Sequence, residues 1–104
     1  MGEFEKNMIE RGKRALKGGY SIALGRQETE ILIEGLQEVK RRYHITSGIS
    51  DAWLNADVME LLARRCLRDE RTMQLRKTGI KQMIKAVKLR ERRRQKLIRK
   101  QKRA

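Results

Sequence analysis

Leu32, Leu36, Val39 and Tyr43 stand at i, i+4, i+7 and i+11. That spacing lines one face of a helix and predicts a helix over 26–43. Glu30, Glu34 and Glu38 form an acidic ridge on it at spacing four, and Lys40, Arg41 and Arg42 gather at its C-terminal end, where the helix dipole favours cations. Such a ridge is either simply solvated or holds a basic segment against the helix. Leu54, Val58, Leu61, Leu62 and Cys66 mark another one-sided helix, with Ser50 as a natural N-cap and Asp51 in the first turn. Residues 3–16 predict a shorter helix burying Phe4, Met8, Ala15 and Leu16, weakened by Gly12 and ended by Gly18-Gly19. Tyr20, Ile22 and Leu24 alternate with small residues, so 20–24 reads as a short strand or as a lead into the next helix. Residues 44–48 read as a connecting loop, and the polar stretch between Leu67 and Met73 as a bend or a solvated helical turn. No internal repeat is expected from the sequence.

The most regular segment is 77–103. Lys77, Lys81, Lys85, Lys88, Arg92, Lys96, Arg99 and Arg103 follow steps of three and four, which puts all eight on one helical face. Ile80, Met83, Ile84 and Val87 form a separate apolar stripe that stops at Val87, and Arg90, Arg93, Arg94, Lys100 and Lys102 spread charge around the remaining circumference. The segment therefore reads as packed at its start and unanchored beyond Val87, with a helical length of roughly 40 Å at about 1.5 Å per residue. Like charges at i and i+4 repel, so residues 90–103 are expected to fray when free and to order on a polyanion.

Composition sharpens this division. The chain has 27 basic and 13 acidic residues, a net charge of +14. Residues 76–104 hold 14 basic residues against Glu91 alone, a net of +13, and residues 1–75 hold 13 against 12, a net of +1. Two parts are expected: a near-neutral helical body, 1–75, that serves dimerisation or partner docking, and a basic C-terminal helical arm, 76–104. With no proline to interrupt helices, the expected fold class is mainly α, a small helical domain of about three to four helices with a long basic C-terminal helix.

Arranged along a helix, lysines and arginines neutralise phosphates and release counterions. The candidate nucleic-acid-binding residues are Lys77, Lys81, Lys85, Lys88, Arg90, Arg92, Arg93, Arg94, Lys96, Arg99, Lys100 and Arg103. The eleven residues from Arg90 to Lys100, Arg-Glu-Arg-Arg-Arg-Gln-Lys-Leu-Ile-Arg-Lys, are similar to the arginine-rich helical motifs of some RNA-binding proteins, phage antiterminators among them. The arm lacks aromatic side chains on which bases could stack, which moves the expectation toward duplex DNA. The strand at 20–24, followed by a helix, a glycine-containing loop and another helix, has the order of a ribbon-helix-helix module. That resemblance implies strand pairing between two copies, with Ser21 and Ala23 facing the major groove.

Other features point away from chemistry. Cys66 is the single cysteine and His44 the single histidine, so no ligand set for a metal is legible. Gly18-Gly19 and Gly25 lack the Lys-Ser or Lys-Thr of a phosphate loop. Trp53 and Tyr43 read as core or interface residues. Arg64, Arg65, Arg68 and Arg71 read as a solvated face, with Glu60 pairing Arg64, or as an extension of the phosphate surface. The N-terminus lacks the apolar core of a secretory signal, and no run approaches the ~18 apolar residues of a membrane span.

The function expected is a non-catalytic nucleic-acid-binding protein, DNA ahead of RNA, regulatory or genome-handling, without cofactor or membrane, dimeric in one reading, and cytoplasmic or nucleoid-associated. The rivals are a structural component of a ribonucleoprotein and a module docking on an acidic protein.

Overall fold

A computed structural model describes residues 1–45 and 48–103, without the side chains of Ile45, Ile49 and Arg103. Among them the chain forms α1 (Glu3–Gly18), β1 (Ile22–Leu24), α2 (Arg26–Arg42), β2 (His44–Ile45), β3 (Gly48–Ile49), α3 (Asp51–Arg68), β4 (Met73–Leu75) and α4 (Lys77–Arg103). The mainly helical class with a long basic last helix is thus the observed one. Local chemistry sets the boundaries. Ser50 caps α3 as its position predicts: its hydroxyl accepts from the Trp53 N–H at 3.1 Å and donates to the Tyr43 carbonyl at 2.9 Å. The loop expected at 44–48 is instead bounded by β2 and β3, which pair antiparallel with His44 opposite Ile49; Thr46 and Ser47 lie outside the described residues.

The strand expected at 20–24 is present as β1, but its partner is β4 of the same chain. This corrects the expectation that the ribbon forms between two copies. It also resolves the stretch after Leu67: α3 stops at Arg68 and the chain returns as a strand. The register places Ile22 opposite Leu75, Ala23 opposite Gln74 and Leu24 opposite Met73, so the ribbon is symmetric about the Ala23–Gln74 pair.

That symmetry extends through the domain. Gly19, at φ 73°, and Glu70, at φ 52°, are the left-handed residues that follow α1 and α3, and they stand 51 residues apart. The same offset relates the hydrogen bonds that close the two helices, from the Tyr20 N–H to the Ala15 carbonyl at 3.0 Å and from the Arg71 N–H to the Cys66 carbonyl at 2.9 Å. Two surface clefts obey it as well, one between residues 15–21 and 76–77, the other between 66–72 and 25–26. So does the core, where Met8, Gly12, Leu24, Leu32, Gly35 and Leu36 correspond to Met59, Ala63, Leu75, Met83, Ala86 and Val87, all buried. The chain is a pseudo-twofold repeat of helix–strand–helix units. This corrects the expectation of no internal repeat: the matched positions share size and burial, with few identities.

α2 packs against both α3 and α4, and α4 also packs against α1. The tightest approach is at Gly35, where a Cβ would lie 2.5 Å from the Ala86 carbonyl oxygen. Gly12 fills a comparable role in mid-helix, because a Cβ there would meet Met83 at 2.9 Å and Ile80 at 3.1 Å. Two expectations about the core are corrected. Phe4 is 50% exposed, with Met8 and Ile9 taking the buried face of α1. α3 turns Ala56, Met59, Glu60 and Ala63 inward, since small residues allow it to lie close on α2. Leu54, Val58, Leu61 and Leu62 are left 47%, 51%, 62% and 52% exposed.

Gly35→Ala should lower stability by about 1–3 kcal/mol despite alanine's better helix propensity, because backbone cannot yield as a side chain can. Urea unfolding checks this, with Gly79→Ala, which meets only side-chain atoms at 3.1 Å or more, as the tolerated control.

Candidate nucleic-acid interface

α4 is sealed on one side and open on the other. Ile80, Met83, Ala86 and Val87 are fully buried against α1 and α2. At about 100° per residue, Lys77, Lys81, Lys85, Lys88, Arg92, Lys96 and Arg99 fall on the opposite face, and all seven are exposed. None of them lies within 4.0 Å of a carboxylate among the described residues. Lys85 sits over the Tyr43 ring, 4.1 Å from its centre. Arg103 closes the ridge in sequence, and its side chain is outside the described set.

Arg90 departs from the expected role. Its side chain is 15% exposed and is surrounded by carboxylates: Nε donates to Glu34 at 2.5 Å, and Nη1 donates to Glu91 at 2.9 Å and to Glu5 at 3.0 Å. Burial opposes its charge, but the hydrogen bond to Glu34 and the charges of Glu34, Glu5 and Glu91 outweigh that, and the guanidinium is held still more firmly protonated than usual. Arg94 joins the cluster through Glu91 at 3.2 Å and Glu5 at 3.6 Å. Arg93 reaches Glu38 at 3.2 Å, and Glu38 also meets Arg41 at 2.8 Å. The anchored part of α4 thus runs to Arg94, correcting the expectation that it ends at Val87. An apolar stripe shows where hydrophobic anchoring stops; it is silent about carboxylates delivered from Glu5 and α2. Of the acidic ridge, Glu34 and Glu38 hold α4, and Glu30 pairs with Arg26 at 3.6 Å.

Two cations missed as candidates join the surface. Arg41 and Arg42, read as complements to the α2 dipole, line a cleft of about 260 Å³ with Arg92, Arg93 and Lys96, over Leu89 and Glu38. The clustering of basic residues at the end of α2 was visible, but the helix crossing that brings them to α4 was not. By contrast, Arg64 pairs with Glu60 at 2.9 Å, and Arg65, Arg68 and Arg71 surround Asp69 at 4.0, 3.5 and 3.3 Å, so that cluster is largely self-neutralised. Trp53 is half-buried beneath Lys40, whose Nζ is 5.0 Å from the ring centre, Cys66 packs against the core, and His44 is exposed.

The ribbon offers a second polar surface. Ile22, Leu24, Met73 and Leu75 turn toward the core, and Ser21, Ala23, Thr72, Gln74 and Arg76 are exposed. Among the described residues no group of three His, Cys, Asp or Glu is placed to hold a metal ion, and no helix is long and apolar enough to cross a membrane. No protein-family model, curated protein or solved structure matches the chain.

Arg90→Met should cost about 2–3 kcal/mol by leaving the buried Glu5 and Glu91 with the half-exposed Arg94 as their one remaining cation among the described residues. Arg92→Ala, on the open face, should stay within about 0.5 kcal/mol of the parent. Chemical denaturation of the two variants side by side checks the difference.

Proposed function

We propose that the protein is a non-catalytic nucleic-acid-binding protein that grips the phosphates of duplex DNA with the outer face of α4, in a regulatory or genome-handling role. The observation that carries this reading is the run of seven exposed cations from Lys77 to Arg99, none paired with a carboxylate among the described residues. Free cations on a helical ridge gain counterion-release energy when they meet phosphates, whereas a cation already spent on a carboxylate gains little. By that criterion Arg90 leaves the phosphate-binding set and Arg93 and Arg94 become secondary to it. Arg42, at the margin of the ridge, joins it.

The ribbon supports duplex DNA ahead of RNA. A major groove admits a two-stranded antiparallel ribbon, and Gln and Arg are the side chains that read adenine and guanine edges bidentately. Gln74 and Arg76 stand on the exposed side of β4 and just after it. β1 offers Ser21, Ala23 and Gly25 at the symmetry-related places, so the two halves of one ribbon would read different base pairs and the site under a single ribbon would not be palindromic. A homodimer belongs to the same reading, since a second copy doubles the phosphate-binding surface.

Binding to duplex DNA, hairpin RNA and heparin across a salt series tests this. The wild type should favour the duplex, and Lys88→Gln, Arg92→Gln and Lys96→Gln together should flatten the slope of log K against log salt by about 2.7. A complex insensitive to salt would point to an acidic protein partner, and preference for the hairpin to a ribonucleoprotein role. Gln74→Ala should leave the salt slope unchanged and reduce discrimination among duplex sequences by about 1–3 kcal/mol, measured by competition with randomised duplexes.

A further inference from the structure

The pseudo-twofold provides an internal control for the exposed apolar face of α3. α1 and α3 occupy equivalent places and bury equivalent positions: Glu5, Met8, Ile9 and Gly12 in one, Ala56, Met59, Glu60 and Ala63 in the other. Their outward positions differ in kind. Where α3 exposes Leu54, Val58, Leu61 and Leu62, α1 has Glu3, Asn7, Glu10 and Arg11. The architecture is therefore satisfied by polar residues at these four places, and the leucines of α3 answer to something outside the domain.

A second difference lies beside them. Arg11 spans the gap between α1 and the start of α2, its guanidinium donating to Glu28 at 2.8 Å and to the Ala23 carbonyl at 2.6 Å. The equivalents of Arg11 and Glu28 are Leu62 and Gly79, and the corresponding space between α3 and α4 is an open groove of about 770 Å³ lined in part by Val58 and Leu62. One half of the domain is closed by an ion pair and the other is left apolar and open.

We infer that this face of α3 is an isologous interface with a second copy of the chain, the two α3 helices antiparallel about a dyad at Val58. The sequence of the seam is self-complementary in that register. Leu54 meets Leu62 of the second copy, Asn55 meets Leu61, Val58 meets Val58, and Asp51 at one end meets Arg65 at the other. All of these residues are exposed, and Asp51 has no ion-pair partner among the described residues. A parallel arrangement would oppose Asp51 to Asp51 and Arg65 to Arg65. Charge also selects this face among the surfaces available. A chain of net charge +14 repels its own copy, but the outward stripe from Asp51 to Arg65 carries one acid and one base at its ends and the uncharged Leu54, Asn55, Val58, Leu61 and Leu62 between them, so the seam itself adds no net charge. Isologous pairing is the commonest form of self-association, and an exposed apolar stripe rimmed by charge is the surface it uses.

The interface needs no nucleic acid, and its test is made without any. Sedimentation equilibrium of the full chain should show a dimer at tens of micromolar. Val58→Asp places two carboxylates face to face at the dyad and should raise the dimer dissociation constant about 100-fold or more, with the far-ultraviolet circular dichroism of the monomer unchanged. Asp51→Arg or Arg65→Asp alone should weaken the dimer about tenfold, and the two together should restore it. A monomer at the highest concentrations, or a dimer indifferent to Val58→Asp, overturns the interface. A dimer sensitive to Val58→Asp in which the double exchange brings no recovery overturns the antiparallel register. Binding of nucleic acid by either form bears on the function proposed above and leaves this result as it stands.

Discussion

The contact on which the rest of the domain depends is the crossing of α2 and α4 at Gly35 and Ala86. The two positions are equivalents under the pseudo-twofold, so the crossing lies on the same axis as the Ala23–Gln74 pair of the ribbon. With no side chain on one helix and a methyl on the other, the backbones approach closely, and little rotation of either helix is tolerated once they do. That constraint fixes which side of α4 faces inward. Ile80, Met83 and Val87 are driven into the core, and the face bearing Lys77, Lys81, Lys85, Lys88 and Arg92 is turned out. The basic surface is a consequence of a small-residue contact that contains no charge.

Carrying 27 cations in 104 residues is costly unless they are spaced or paired, and the chain does both. Near the axis the two halves use different means at equivalent positions. In the first, Val39 is buried and Lys40 pairs with Asp57 at 2.7 Å and Glu60 at 3.4 Å on α3. The hydrogen bond to Asp57, against a desolvation cost and with the added charge of Glu60, raises the Lys40 pKa. In the second, Arg90 replaces the valine and gathers Glu5, Glu34 and Glu91. Buried ion clusters of this kind are poor sources of net stability but strongly penalise misalignment, because any shift strands a charge. Here the cluster holds α4 in register as it leaves the apolar core, so the free cations beyond it project from a fixed base.

What was legible in the sequence follows from which interactions are local. The stripe Leu32, Leu36, Val39, the Ser50 cap, the Gly19 terminus and the ridge of α4 are properties of single segments, and each is found in the structure. The buried face of α3 differs from the expected one because Leu54, Val58, Leu61 and Leu62 are prominent apolar residues of the helix, and residue size alone does not decide burial. A helix that must lie close to its neighbour instead buries Ala56 and Ala63. The twofold escaped because it is written in pairs such as Gly35 and Ala86, or Gly19 and Glu70, that match in geometry and differ in type. At the candidate site, the positions of the free cations were legible. The capture of Arg90 and the recruitment of Arg41 and Arg42 were not, since both depend on residues from α1 and α2 arriving beside α4.

A duplicated architecture also separates what the fold requires from what has been added to it. Where the halves agree in the core, at Met8 and Met59 or at Leu24 and Leu75, the residues are buried and their roles are structural. Where they disagree on the surface, the fold has no preference. The equivalents of Lys81, Lys85 and Lys88 on α2 are Glu30, Glu34 and Gln37, so the same helical face is acidic or neutral in one half and basic in the other. α4 also continues to Arg103, well past the point equivalent to the end of α2 at Arg42. A tail kept only for solubility needs neither a one-sided ridge nor an anchoring cluster at its root. The disagreement is concentrated on two elements, the outer face of α4 with its extension and the outer face of α3. Those surfaces differ in character, one charged and one apolar, and neither is required by the packing that the two halves share.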